Sequence, residues 1–302
     1  MAKVNKSELV GVAFVLLTAV LSGLRPALTK FGAETYPPIL LAAFTVLFSA
    51  IASFVVLLAR KQPTSSLIPD QKKYFTSGII GAGLAPLFLY LGLQTTSGID
   101  TSLFLQIELV YSLVICYFLM REKITLQQVF LTAIVFVGAI ATLFKESAPT
   151  LSAGAMMILA VPLFYVLSNA MSKDLLKRHT PEAVSTMRQI YGALFLLATV
   201  LLFEGAPASI VLDPQFLLYA AMLGILLTGV ALCWYNAIGR VNVSKATAIG
   251  AVEVIVSVVA SCIVLGEVPT LLQYFGITLI VAGTVLLAFR VKSEQRVPPV
   301  KA

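Results

Sequence analysis

Ten runs of apolar residues, each about 20 residues long as a helix needs to cross a bilayer, divide this chain almost from end to end. They cover 9–31, 37–59, 74–94, 99–120, 127–144, 152–172, 183–203, 216–238, 243–265 and 269–289. Leu, Val, Ile, Ala and Phe surround most of them on every side, as in helices that meet lipid or other helices all round. Connections such as Gln94 to Ile99 and Leu265 to Pro269 are short enough to require antiparallel neighbours in a bundle. The predicted fold is therefore an all-α integral membrane protein of ten transmembrane helices.

Composition agrees. The 302 residues are 12% charged and 59% hydrophobic, whereas soluble domains run near 25% charged. A soluble core, intrinsic disorder, a collagen and a disulfide scaffold are all excluded. Cys116, Cys233 and Cys262 lie inside apolar runs and read as small packing residues. Lys3 and Lys6 precede the first run in the manner of a signal peptide. That run is too long, and no small-residue cleavage site follows before the next, so it reads as a retained helix.

The formal net charge of +7 has a specific distribution. Seventeen of the 21 Lys and Arg fall in the N-terminal tail, the alternate loops around 60–73, 121–123, 173–178 and 240–245, and the C-terminal tail. Lys30 and Lys145 stand at the opposite face, and Arg25 and Arg188 lie within spans. By the positive-inside rule both termini are cytoplasmic; the expected location is the inner (plasma) membrane of a bacterium or archaeon. The basic excess is orientation, and no nucleic-acid partner follows from it.

The chain repeats itself. At an offset of 145, Tyr90, Glu108, Ser112, Glu122, Thr125, Gln128 and Gly138 meet Tyr235, Glu253, Ser257, Glu267, Thr270, Gln273 and Gly283. At an offset of 143, Lys30 and Pro38 meet Lys173 and Pro181. Carboxylates are rare in such sequence, so two coincident pairs carry most weight. The halves are read as 1–146 and 147–302. Five spans in each, an odd number, place the second upside down relative to the first. Inverted repeats set a substrate site near the midplane and permit alternating access; a duplicated scaffold without transport is the bland alternative.

At these residues the sequence resembles the drug/metabolite transporter superfamily, specifically its ten-helix EamA-type members. Their repeat carries an aromatic in the third helix, an acid midway along the fourth, a Gly-Glu pair at its end and a glycine in the fifth. Tyr90, Glu108, Glu122 and Gly138 stand there in one half, and Tyr235, Glu253, Gly266-Glu267 and Gly283 in the other. Ser168, Asn169 and Lys173 resemble the family's Ser-Asn-x-x-x-Lys pattern, and Arg188 its second-helix arginine. The sequence departs from the pattern at Leu109 and Val254, where proline is common, at Arg25-Pro26, where Ser-Asn is expected, and at Thr45, where arginine is expected. The resemblance implies export of amino acids or related compounds.

Arg25, Glu108, Arg188 and Glu253 are the ionisable residues deep within spans. A charge at the bilayer centre costs about 2.5–3.5 kcal/mol on insertion scales, so each must face the bundle interior or a watered cavity. Depth along the helices permits two pairs, Arg25 with Glu108 and Arg188 with Glu253. One reading makes these structural ion pairs. The other gives a substrate ammonium or a proton to Glu108 and Glu253, and a substrate carboxylate to Arg25. Tyr90 and Tyr235 offer rings with polar tips, and Gln106 and Asn169 are candidate cavity donors; interfacial anchoring and interhelical bonding account for these four as readily. Trp234 reads as an interface anchor, Gly138 and Gly283 as packing positions, Glu122 and Glu267 as residues of helix caps or loop contacts, and His179 as solvated in a loop.

No HExxH, GxSxG, Walker A or paired CxxC motif is present, so neither an enzyme, a metal nor a cofactor is expected. The functional expectation is a secondary transporter of zwitterions, with proton coupling as a reading of the buried acids. Its expected partners are a small-molecule substrate and the lipid bilayer, as a monomer or a homodimer. Transport of cationic amines or drugs is one alternative. A non-transporting membrane component, such as a lipid-flippase subunit, is another.

Overall fold

With apolar side chains on every face, the backbone must satisfy its own hydrogen bonds, and helices do so within one segment. The computed structural model describes residues 6–62, 68, 70–120, 125–141, 144–145, 148–149, 152–204, 211, 213–238, 240, 250 and 252–290. The helices are α1 (Lys6–Thr35), α2 (Pro38–Ala59), α3 (Gln71–Gly78), α4 (Ala85–Leu93), α5 (Gly98–Leu105), α6 (Glu108–Met120), α7 (Leu126–Ala141), α8 (Ala153–Leu175), α9 (Pro181–Phe203), α10 (Pro214–Ile238), α11 (Val252–Leu265) and α12 (Leu271–Arg290). A π-helical turn, Ile79–Leu84, joins α3 to α4, and Gln106–Ile107 separate α5 from α6.

Among the described residues seven helical stretches are long and apolar enough to cross a membrane, and three shorter apolar helices bring the number to ten. This is an integral membrane protein. Two departures from expectation are local. α1 runs through Pro26 to Thr35, and the fifth span stops at Ala141, with Phe144–Lys145 pairing antiparallel to Ala148–Pro149 instead. Most of the residues that open the expected ninth span lie outside the described residues.

The chain forms two compact units, each drawing helices from both halves of the sequence. One unit comprises residues 1–27, 98–151 and 229–302, and the other 28–97 and 152–228. In the first unit α7 lies against α12. A Cβ on Gly138 would stand 2.8 Å from the Gly276 carbonyl oxygen, and one on Gly283 would stand 2.8 Å from Val135 Cγ2 and 3.2 Å from the Leu131 oxygen. Numbers rise along one helix as they fall along the other, so the repeat-related helices are antiparallel, as inverted repeats require. Both begin with the same device. The Gln128 and Gln273 side-chain oxygens accept from the Thr125 and Thr270 amides, and the threonine hydroxyls accept from the glutamine amides. This is a reciprocal capping box, and it accounts for two of the repeat's coincidences.

In the second unit α2 and α9 pack along their lengths around Leu40, Leu41, Val46, Leu57 and Leu196. Ser53 and Ser185 hydrogen-bond across that seam at 3.2 Å. The Glu204 carboxylate at the end of α9 accepts from the Ile39 and Leu40 amides at 3.1 and 2.7 Å, satisfying amides that open α2. The opposite end is held by ions. Arg60 pairs with Glu182, Lys73 with Asp174 at 2.5 Å, and Arg178 with Asp70 at 3.5 Å. His179, expected in solvent, is buried: its Nε2 is 3.1 Å from the Asp70 carboxylate, and its ring packs on Tyr74. Asp70 takes a left-handed φ of 61° to reach it. The His179 hydrogen bond, helped by the Arg178 and Lys73 charges, holds the Asp70 carboxyl below its ordinary range. Lys73 does the same for Asp174 through its hydrogen bond and charge.

Candidate functional site

The buried charges named from sequence fall into two polar clusters, one in each unit. In the first unit α1 brings Ser22 and Arg25, one helical turn apart, to Glu253 in the first turn of α11. Ser22 Oγ donates to Glu253 Oε1 at 2.7 Å, and the Arg25 charge also acts on Glu253. Gly23 permits the crossing, since a Cβ there would stand 2.8 Å from the Glu253 carbonyl oxygen and from Val256 Cβ. Glu108 opens α6, and the Glu253 charge reaches it. Repeat-related carboxylates thus share one locality, each in the first turn of its helix, where the macrodipole favours an anion. Both are partly exposed, as are Arg25 and Gln106, which lies in the turn just before Glu108.

Depth alone matches Arg25 with Glu108. Arg25 also acts on Glu253, a partner that depth does not single out, because depth fixes how far along a helix a residue stands and not which way it faces. Arg188 belongs to the other unit. There its Nη2 donates to Ser168 Oγ at 2.7 Å, and Ser168 Oγ donates to the Ser77 carbonyl at 2.7 Å. That carbonyl stands just before the π turn. Gly81 within the turn leaves the space this relay occupies: a Cβ there would lie 2.5 Å from Ser168 Cβ and 2.6 Å from Arg188 Nη2. Ser168 is the residue of the Ser-Asn pair that makes this contact, whereas Asn169 is exposed.

Tyr90, buried on α4, donates to Thr45 Oγ1 at 3.1 Å, so the hydroxyl standing where the family pattern has arginine receives the tyrosine. Tyr219 donates to the Leu28 carbonyl at 2.5 Å and lies near Tyr36, whose ring packs on Phe216. Tyr235 is in α10, and its side chain lies outside the described residues, as do Glu122 and the side chain of Lys173. Ser22, Gly81 and Tyr219 are the neighbours that sequence reasoning passed over. Ser22 was the most accessible of them, being three residues from Arg25 on one helical face. Glu267 caps a helix, as expected: its carboxylate accepts from the Gly98 and Ile99 amides at 2.7 and 2.9 Å. Among the described residues no three His, Cys, Asp or Glu side chains come together as a metal site requires.

These features can be set beside known proteins. A model of the EamA-like transporter family matches residues 9–144 and again 152–289. A probable amino-acid metabolite efflux pump of Salmonella typhimurium is 26% identical over 298 residues, covering 93% of this chain and 96% of its own. The uncharacterized transporter YetK of Bacillus subtilis is 23% identical over 298 residues, with 95% of this chain and 89% of its own covered. A crystal structure at 21% identity superimposes with a TM-score of 0.68 over 95% of this chain and 99% of that one, which establishes the shared fold. Matched twice along nearly its whole length, the chain belongs to the EamA-like transporter family and is a membrane transporter.

Proposed function

We propose that this transporter exports amino acids or related zwitterions by alternating access, with both termini in the cytoplasm of a prokaryotic inner membrane. The observation that carries this is the polar cluster of Ser22, Arg25, Glu253 and Glu108 in the first turns and interior of apolar helices. Ionised groups are retained in such surroundings where they serve a substrate or ion pathway. Glu108 receives the substrate ammonium or a proton, and Arg25 presents a planar fork to a carboxylate. The name of the Salmonella relative supports the substrate class, and the one-sided basic loops support the orientation. The two repeated halves, 1–146 and 147–302, supply the two states related by inversion, and no enzymatic step is required. The minimal working unit is the chain in its bilayer, whether as monomer or homodimer.

A second reading rests on a specific observation. Two repeat-related carboxylates, Glu108 and Glu253, lie near enough for the charge of one to act on the other, and such a pair of acids suits a cationic amine. Counterflow of radiolabelled amino acids and of radiolabelled amines in proteoliposomes separates the two. Zwitterion export requires uptake of amino acids that falls at least tenfold in both Arg25→Gln and Glu108→Gln, the loss of about 1.4 kcal/mol or more of recognition. Amine uptake that survives Arg25→Gln and is lost in Glu108→Gln establishes the second reading. Uptake of neither class at any pH overturns both.

A further inference from the structure

The fourth span is not one helix. Between α5 and α6 the backbone tightens: the Gln106, Ile107 and Leu109 amides bond to Leu103, Phe104 and Gln106, three residues back instead of four. Neither proline nor glycine lies at this break. It falls immediately before Glu108, so α5 is a separate eight-residue helix set directly beside the acid pair.

Polar groups fasten α5 at its free end and along its flank, all within one unit. α11 ends at Gly266, whose φ of +67° favours glycine, and the next residue, Glu267, holds the two leading amides of α5. Gly98 lies so close to α11 that a Cβ would stand 2.6 Å from Ser261 Oγ and 2.8 Å from Leu265 Cδ1. One turn further along, Ser102 and Ser257 hydrogen-bond. On another side Gln273 Nε2 donates to Asp100 Oδ1 at 2.7 Å. The order along the seam is Glu267 at Gly98, then Ser102 at Ser257, then Glu108 near Glu253. Gly98 to Phe104 are all buried. Few of these fastenings are needed for a helix to exist. The clamp on two amides beside a left-handed glycine and the serine pair each hold α5 to α11.

We infer that α5 is the gate of the Glu108–Glu253 pair, hinged at Gln106–Ile107 and latched by the Glu267 carboxylate. Gly98 is three crossings from the N-terminus, so this gate serves the membrane face opposite the N-terminus. The closed seam would cut the acids off from that face along α5 and α11, and release of the latch would open them to it. The inference rests on the transport reading, in which one site is exposed to the two faces in turn. Gly266-Glu267 then has a physical role: the glycine makes the turn, and the glutamate closes the gate.

The test uses the whole protein with Cys116, Cys233 and Cys262 replaced by Ala. In one arm Ser102→Cys and Ser257→Cys are oxidised to a disulfide in proteoliposomes, and uptake of a radiolabelled mixture of the twenty amino acids and choline is followed. Oxidation should abolish uptake, and reductant should restore it in the same vesicles, which shows that the variant folds. Undiminished uptake with the seam covalently closed overturns the gate. In the other arm the single variant Ser102→Cys is labelled by a membrane-impermeant maleimide from the face opposite the N-terminus. Adding Glu267→Gln should speed labelling several-fold, and an unchanged rate overturns the latch. Labelling requires no transport. A protein that moves none of these solutes in its parent form, yet labels faster with Glu267→Gln, keeps the gate and loses the transport reading.

Discussion

Gly81→Ala tests whether the π turn exists to seat Arg188. The new methyl would stand 2.5 Å from Ser168 Cβ and 2.6 Å from Arg188 Nη2. Ser168 cannot simply rotate away, because its hydroxyl is committed to both the guanidinium and the Ser77 carbonyl. Overpacking of this kind costs about 1–3 kcal/mol, and weakening a hydrogen bond from a charged group adds about 1.5–3 kcal/mol. Against these stands about 1 kcal/mol from replacing a helical glycine with alanine. The balance is a destabilisation of about 2–4 kcal/mol, which lowers the apparent Tm by roughly 5–10 °C in a chain of this size. Thermal unfolding of the detergent-purified protein, followed by the fluorescence of its one tryptophan, Trp234, measures it. Gly229→Ala is the control: its methyl would meet only Leu21 Cδ1, at 3.3 Å, so its Tm should stay within about 2 °C of the parent. Equal Tm values for the two variants refute the argument that the π turn is shaped around the Arg188–Ser168 relay.

Two further outcomes follow from the helix ends and the ion network. Glu204→Ala removes an acceptor shared by the Ile39 and Leu40 amides and should cost about 1–2 kcal/mol, read as a Tm loss in the same assay; an unchanged Tm means water replaces the cap without cost. Asp70 is held below the ordinary carboxylate range by His179, so its contribution is present above the unfolded pKa of about 3.9 and is lost as pH falls through the folded value. Asp70→Asn should therefore lower the Tm at pH 7 and flatten the Tm–pH curve below about pH 4; parallel curves for parent and variant would remove Asp70 from the acid limb.

The spans were legible because hydropathy over about 20 residues records a property of the bilayer, not of any neighbour. The repeat was legible for a related reason: Thr125 and Gln128, like Thr270 and Gln273, are fixed by a local cap that each copy must satisfy for itself. The T-x-x-Q spacing on its own is the mark of such a cap. What lay beyond reading depends on partners far along the chain. His179 is buried because Asp70, 109 residues away, turns back to it. The break at Gln106–Ile107 has no proline or glycine to mark it.

The buried charges show the same limit most sharply. Four ionisable residues at suitable depths allow several pairings, and neutrality alone favours two balanced pairs. A helix, however, places its side chains by angle as well as by rise, and three residues along α1 determine the outcome. Ser22, Gly23 and Arg25 set a hydrogen bond, a close crossing and a charge against the same short stretch of α11. Gly23 brings the backbones together, and Ser22 and Arg25 then converge on Glu253. Arg188 meanwhile donates to a neutral hydroxyl and, through it, reaches a carbonyl in its own unit. The cluster around Glu253 thus gathers two repeat-related carboxylates and Arg25. In the transport reading proposed above, the meeting of two rare acids is the physical reason to look for a cation, whether a proton or an ammonium group, at Glu108.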